Sequence, residues 1–359
     1  VFELVLLIAL SILGLSVLTY FYVRVVTRPK TGKVCPAEIV SILVKPGDGL
    51  SEVAHKLKEA RVIRDERLFI FVGRLKGADT KIQVGEYEFM LGTPMREVLH
   101  TLVLGKQKYY KLKALPGYNI WEIAEQINLN RVWSSEHFLS LCQDPIFINK
   151  LGIPADSLEG YLSPDTYQFH RFDSEELIIQ TMVKHFEELW KPEYEERAEK
   201  LGLTRHQVIT IASIIEKETG LRDERPLVSA VIYNRLKKKM GLFMDPTVIY
   251  GLLPNFDGNL TKSDLEKWTP YNTYKNLGLP PGPICNPGDA SIRAALWPAE
   301  VAYLYFVSKG DGSHYFSSSY AEHLKGVEQY QHQAQPLEQG STVEPEPSPE
   351  SGQTVKPEQ

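Results

Sequence analysis

From Leu4 to Val23 the chain reads "LVLLIALSILGLSVLTYFYV", twenty residues without a charge. An α-helix needs about 20 such residues to cross a hydrocarbon core. Tyr20, Phe21 and Tyr22 sit at one end of the run, as aromatic rings do at a membrane interface. The competing reading is a cleaved signal peptide, but the apolar region of such a peptide spans only roughly 7–15 residues and is followed by a small-x-small cleavage site. No such site follows here. The expectation is an uncleaved single-pass membrane anchor over residues 1–26. Arg24, Arg28, Lys30 and Lys33 flank it on the C-terminal side and, counted alone, would place that side in the cytoplasm. Charge therefore does not establish the orientation.

With 359 residues the chain has room for two or three domains, and an apolar content of 43% excludes wholesale disorder. The formal charge of −5 is unevenly spread. Residues 334–359 hold five glutamates and one lysine, so the remainder is nearly neutral. That tail is rich in Pro, Glu, Gln and Ser and is expected to be disordered. No basic stripe or nucleic-acid-reading motif is present, which sets that class of partner aside. Cys35, Cys142 and Cys285 are widely spaced, with no CxxC, no His/Cys cluster and no HExxH. We therefore expect neither a disulfide framework nor a metal, and nothing calls for a cofactor.

Beyond the anchor the chain repeats. "VKPGDGLSEVAHKL" (44–57) aligns without gaps on "ALPGYNIWEIAEQI" (114–127), and "GTPMREVLHTL" (92–102) is a looser third copy. Each opens on a Gly turn and continues with apolar residues at helical spacing, after a strand-like run: "EIVSILV", "QVGEYEF" and "KYYKLKAL". Residues 34–130 are thus expected to be small βα modules, with a further helix at "DERLFIFVGRLKG". Two uses fit such modules. One is glycan binding in the manner of a LysM domain; the other is a rigid spacer that lifts the next domain off the membrane.

Around Asp144–Pro154 the sequence turns irregular, and a second region, 155–333, follows without visible repeats. Helical segments such as "HQVITIASIIEKE" and "RPLVSAVIYNRLKKK" mix with strand candidates "AYLYFVSK" and "HYFSSS" in no regular alternation. The expected fold class is α+β rather than a doubly wound sheet. A long Pro/Gly-rich loop, "NLGLPPGPICNPGD", is expected to form a rigid wall from Leu279 to Gly288.

One helix raises a chemical question. "TIASIIEKETG" (210–220) ends an apolar run with two glutamates. Thr204 and Gln207 form a capping-box pattern, and Gly220 is a natural stop. At 100° per residue, Val208, Ile211, Ala212 and Ile215 form a stripe that Glu218 continues, whereas Glu216 lies on its flank. A carboxyl on that stripe would have its pKa raised by burial and by the negative end of the helix dipole, which suits a general acid. The alternative is that both glutamates are solvated among Lys217, Arg222 and Arg225.

"LEGYLSPDTYQF", "ASIIEKETG", "VIYNRL", "DPTVIYGL", "YNTYKNLGLPPGPICNPG", "AALWPAE" and "YLYFVSKGDGSHYFSSSYAEH" occur in one order. Together, from Leu158 to Gln331, they resemble the catalytic domain of the endolytic murein transglycosylases, the YceG-like family. The resemblance implies cleavage of peptidoglycan glycan strands between N-acetylmuramic acid and N-acetylglucosamine, leaving a 1,6-anhydro end. It implies Glu218, the second glutamate of "EKE", as the catalytic acid. It also implies a body on the outer side of a bacterial cell membrane, with peptidoglycan synthases as candidate partners. Asp165, Asn234, Arg235, Asp245 and Asn272 are candidates to hydrogen-bond sugar groups, and Tyr161, Tyr167, Tyr271 and Tyr274 to stack on sugar faces. Each has a structural alternative: Asp245 as a turn former, Asn234 and Arg235 as caps and pairs, His314 as a structural histidine.

Overall fold

The computed structural model describes residues 11–17 and 38–332. Residues 11–17 are helical. The rest of the expected anchor, 1–26, and the expected disordered tail, 334–359, lie outside the described residues. Among the described residues no helix is long and apolar enough to cross a membrane.

The N-terminal unit runs β1 (Ile39–Val44), α1 (Leu50–Glu59), α2 (Glu66–Leu75), β2 (Gly85–Met90) and α3 (Met95–Leu104). β1 and β2 pair antiparallel, from Ile39 opposite Met90 to Val44 opposite Gly85. Next come β3 (Tyr110–Ala114), α4 (Ile120–Asn130), α5 (Ser135–Cys142), α6 (Pro145–Lys150) and β4 (Asp165–Phe169), with β3 antiparallel to β4. The stretch expected to be irregular therefore contains α6, started by Asp144, whose carboxylate accepts from the Ile146 amide, and by Pro145 in the first turn.

The sequence repeat is a structural repeat. Gly47, Gly92 and Gly117 all take a left-handed turn, at φ 90°, 96° and 88°, which only glycine adopts without strain. After each turn the helix buries the same four positions: Leu50, Val53, Ala54 and Leu57; Met95, Val98, Leu99 and Leu102; Ile120, Ile123, Ala124 and Ile127. The copies nevertheless serve different cores. The first two pack with Phe69 and Tyr87, whereas β3 and α4 belong to a larger core that extends from Leu112 to Leu296. Residues 110–130, which the repeat groups with the modules before them, thus pack with the C-terminal unit, because the partner strand of β3 is β4.

That C-terminal unit continues with α7 (Glu175–Leu189), α8 (Pro192–Leu201), α9 (Arg205–Glu218), α10 (Arg225–Lys237), α11 (Asp245–Leu252), α12 (Lys262–Glu266), α13 (Asp289–Leu296), the antiparallel hairpin β5 (Tyr305–Ser308) and β6 (His314–Ser317), and α14 (Tyr320–Val327). Helices with three separate two-stranded sheets make this a mixed α+β protein. α9 is the central helix. All residues from Val208 to Ile215 are buried, so it is enclosed on every side rather than along one stripe. Its two buried hydroxyls are satisfied: Thr210 donates to the His206 carbonyl, and Ser213 donates to the Thr210 carbonyl while accepting from the Ile284 amide. Each large aliphatic side chain buried here contributes about 1.5–3 kcal/mol.

The two units meet at Glu86 of β2, which is 7% exposed. Its carboxylate accepts from Ser41 Oγ and Tyr110 Oη, each at 2.6 Å, and from Arg171 at 2.9 Å, with Lys108 Nζ at 3.3 Å. Tyr110 and Arg171 flank the β3–β4 pair of the second unit. Burial alone would raise the pKa of Glu86; the bonds from Ser41, Tyr110 and Arg171 and the charge of Lys108 outweigh it and bring it from 4.5 to about 2. A depressed carboxyl pKa means stability that is present above pH 4.5 and lost as the pH falls towards 2. Glu86→Ala should lower the unfolding free energy at pH 7 by about 2–4 kcal/mol. In chemical denaturation the gap to wild type should close as the pH drops through that window.

Candidate active site

α9 starts with the expected capping box: Thr204 Oγ1 accepts from the Gln207 amide, and the Gln207 side chain accepts from the Thr204 amide. It ends where the glycine signal places it, with Thr219 extended as the C-cap and Gly220 just beyond. The two glutamates of its last turn have separate tasks. Glu216, 7% exposed, holds Arg225 at 3.1 Å and the Gly288 amide at 2.9 Å, so it ties the helix to α10 and to the Pro/Gly loop. Glu218 makes no hydrogen bond or ion pair to any described residue. The residue is half-buried. Desolvation, and next the charge of Asp245, push its pKa from 4.5 up to about 8, against the opposing charge of Arg235. Its place in the last helical turn acts in the same direction.

Three sequence-nominated residues gather around that carboxyl. Asp245 opens α11 and accepts a 2.6 Å hydrogen bond from Tyr274 Oη. Arg235 of α10 is 7% exposed and is fixed by the carbonyls of Leu304, at 2.7 Å, and Leu242. Its guanidinium lies over the rings of Phe243 and Tyr305, at 5.8 and 5.5 Å. Phe243 was not foreseen. It is 47% exposed, tilts against Tyr274 at 5.3 Å, and has φ 49°, a left-handed conformation that strains a bulky residue. An exposed aromatic ring held in strain beside an acid suits a sugar-stacking platform. A Cβ on Gly241 would come within 2.6 Å of that ring, so the glycine makes room for it. The only sequence signal was a bulky aromatic between Gly241 and Asp245; its backbone angle is not readable from residue type.

The other nominated residues are placed elsewhere or are fully engaged. Asn272 has no exposed surface, and its amide donates to the Leu265 and Lys267 carbonyls while accepting from the Tyr274 amide. It shapes the loop that presents Tyr274 rather than meeting a ligand. Asn234 donates to the Val301 and Tyr303 carbonyls and clamps the chain leading into β5. Tyr271 packs on Tyr250 at 4.7 Å, on the side of Glu159 rather than Glu218. Tyr167 is 4% exposed and donates to the Ser163 carbonyl, and Tyr161 is wholly buried against His206, so neither ring can stack on a sugar. Asp165 is exposed at the start of β4, 3.6 Å from His185, and the structure does not bring it to the Glu218 cluster. His314 bonds Glu224 at 2.7 Å and is a structural histidine.

Behind the site stands a buried staple that the motifs contained but residue type alone did not reveal. Asn286 accepts from the Gly160 and Leu162 amides, and its amide donates to the Tyr118 carbonyl and to Glu159. Glu159 is 2% exposed and also accepts from the Ile120 amide; burial pushes its pKa up to about 8. One asparagine thus joins the repeat's Pro-Gly turn, the "LEGYL" segment and the Pro/Gly loop. Gly160, at φ 88°, lets Pro283 approach to where any Cβ would lie at 2.5 Å. The loop 279–288 is therefore backing packed onto α9.

Among the described residues no group of His, Cys, Asp or Glu is arranged to hold a metal. A trough of about 540 Å³, lined by Lys76, Arg96 and His100, lies on the N-terminal unit and so belongs to the other core.

The model of the YceG-like family matches residues 42–329, spanning both cores and every element around Glu218. The chain belongs to the YceG-like family. A Bacillus subtilis protein named endolytic murein transglycosylase is 36% identical over 81% of this chain and 84% of its own length. A protein of the same name from Streptococcus pneumoniae is 26% identical over 81% of this chain; the match spans 58% of that longer protein. The crystal structure of a yceG-like protein from Listeria monocytogenes aligns with a TM-score of 0.56 at 34% identity, covering 80% of this chain and 99% of that one.

In this YceG-like chain the raised pKa of Glu218 has a stability consequence. Ionising the folded carboxyl is disfavoured, so the penalty is absent below pH 4.5, grows as the pH rises, and levels off above about 8. Glu218→Gln should therefore be more stable than wild type at pH 8, by about 1–3 kcal/mol, and equal to it near pH 4. Thermal or chemical unfolding at the two pH values checks this.

Proposed function

We propose that this chain is an endolytic lytic transglycosylase that cuts peptidoglycan between N-acetylmuramic acid and N-acetylglucosamine and leaves a 1,6-anhydro end. The observation that carries this reading is a Glu218 carboxyl that no described side chain pairs with, only partly exposed at the end of α9, its pKa pushed up to about 8 by burial and then by Asp245. The names of the relatives from Bacillus subtilis and Streptococcus pneumoniae support it.

In the mechanism, Glu218 gives its proton to the glycosidic oxygen as the bond to C1 of the muramic ring breaks. Positive charge develops on the ring, and the Asp245 carboxylate, held by Tyr274, offsets it. The glutamate is now an anion and takes the proton from the C6 hydroxyl as that oxygen bonds to C1. The proton returns to Glu218 and no water is consumed. An internal nucleophile is already positioned by the sugar itself, so one acid/base suffices and the two-carboxylate spacing of hydrolases is not required. Arg235 and Phe243 would position the sugars.

The same proposal includes a single N-terminal membrane anchor, a body outside the cell membrane, and N-terminal modules that act as a LysM-like wall contact or as a spacer. Peptidoglycan synthases are the partner class that such a position suits.

Digestion of purified peptidoglycan by the full chain tests the reaction. Wild type should release fragments ending in anhydro sugar, one water lighter than the reducing sugar a muramidase would leave, and Glu218→Gln should release none. Reducing ends would assign a hydrolase, and undiminished release by Glu218→Gln would remove that residue from the chemistry. Because Asp245 raises the pKa of Glu218, Asp245→Asn should shift the alkaline limb of the pH–rate profile to lower pH and reduce the maximal rate about tenfold or more.

A further inference from the structure

A second cavity, of about 500 Å³, lies between α4, α5, α9 and α11 and is used by none of the chemistry above. Trp121 and Glu125 of α4, Leu139 of α5, Lys217 of α9, and Ile249 and Phe256 on and after α11 line it. Two pairs of chain neighbours connect it to the active site. Lys217 precedes Glu218, and Pro246, also in the lining, follows Asp245. Adjacent Cα atoms are about 3.8 Å apart, so the backbone of the cavity wall directly adjoins the backbone that carries Glu218 and Asp245.

The lining mixes apolar side chains with polar ones and carries charge of both signs. Trp121 is braced edge-on against Tyr250 at 5.5 Å, so its ring is held in place. Lys217 is steadied by a 3.3 Å bond to the Gly117 carbonyl. Glu122 is committed to the α4 capping box with Asn119, whereas Glu125, one turn on, is exposed and has no hydrogen bond or ion pair to any described residue. A glycan strand running past Glu218, Asp245 and Phe243 would lie on the other flank of α11. What leaves such a strand sideways, close to the scissile bond, is the peptide on the lactyl ether at C3 of the muramic ring. That peptide combines methyl side chains with carboxylates and, on its diamino acid, a free amine. Leu139, Ile249 and Phe256 suit the methyl groups, Lys217 suits a carboxylate and Glu125 suits the amine.

We propose that this cavity binds the stem peptide of peptidoglycan, so that the enzyme acts preferentially on strands that still carry their peptides. The assignment rests on the transglycosylase reading above and specifies the substrate of that same site.

The test compares two substrates with the full chain: peptide-bearing glycan strands, and the same strands stripped of peptides by an amidase. Glu125→Lys reverses the charge for the amine, and Ser135→Trp, at another lining position, fills the space from the half-exposed start of α5. For wild type, kcat/KM should be at least about fivefold higher on peptide-bearing strands. Each variant should lose most of that preference while cutting stripped strands as wild type does, which also shows that it is folded. Equal loss on both substrates, or no loss on either, overturns the assignment. If wild type cuts neither substrate, the transglycosylase reading fails and the assignment fails with it.

Discussion

Glu218 is a carboxyl group kept from full hydration and given no partner among the described residues, and the proposed chemistry depends on it. Most carboxylates in the structure that lie out of solvent are compensated: Glu86 by four donors, Glu216 by an arginine and an amide, Glu224 by a histidine and a threonine. Glu218 has only the distant field of Arg235, and Asp245 works against its ionisation. Such a group is unfavourable for the fold once ionised, and it persists only where its surroundings leave it no alternative position. Here that rigidity comes from α9, which is enclosed along eight consecutive residues and has both ends tied. A helix that could slide or rotate would let the carboxyl swing into water.

The rigidity is assembled from distant parts of the sequence. Asn286 uses both faces of its amide to connect segments separated by more than a hundred residues, and Ser213 in the middle of α9 receives the Ile284 amide of the same loop. The Pro/Gly composition of that loop keeps its backbone stiff, and the hydrogen bonds to α9 and to the Pro-Gly turn at Gly117 give it a fixed seat. Strain is held beside the Glu218 cluster: Phe243 carries a left-handed backbone, and Gly241 accommodates its ring. The N-terminal unit is attached to this body through Glu86, a polar joint rather than a shared apolar core.

Much of this was legible in advance. The three βα turns were readable because glycine at a left-handed turn and apolar residues at 3.6-residue spacing are local signals. The capping box on α9 is likewise local, and periodicity alone separates Glu218 from Glu216, which the structure pairs with Arg225 and the Gly288 amide. The grouping of residues 110–130 was not legible, since β3 resembles β1 in sequence and differs only in which strand it meets. Tyrosine and asparagine suit sugars, which makes Tyr161, Tyr167 and Asn272 groove candidates by residue type, but the same groups also suit buried hydrogen bonds. Residue type cannot separate the two uses. Phe243 was passed over for the converse reason: an apolar residue reads as core until the fold leaves it outside.

What the amino-acid sequence determined by itself was the family, the repeat, the helices and which carboxyl is proposed as the acid, all of which depend on short-range pattern or on motifs in a fixed order. What only the tertiary structure decided was the state of that acid and the company around it. A pKa near 8 arises from dense protein on most sides and from the charge of a residue twenty-seven positions away, and both depend on packing between α9, α10 and α11. Electrostatic fields and desolvation act through space, so they take their values only once the chain has brought its distant parts together.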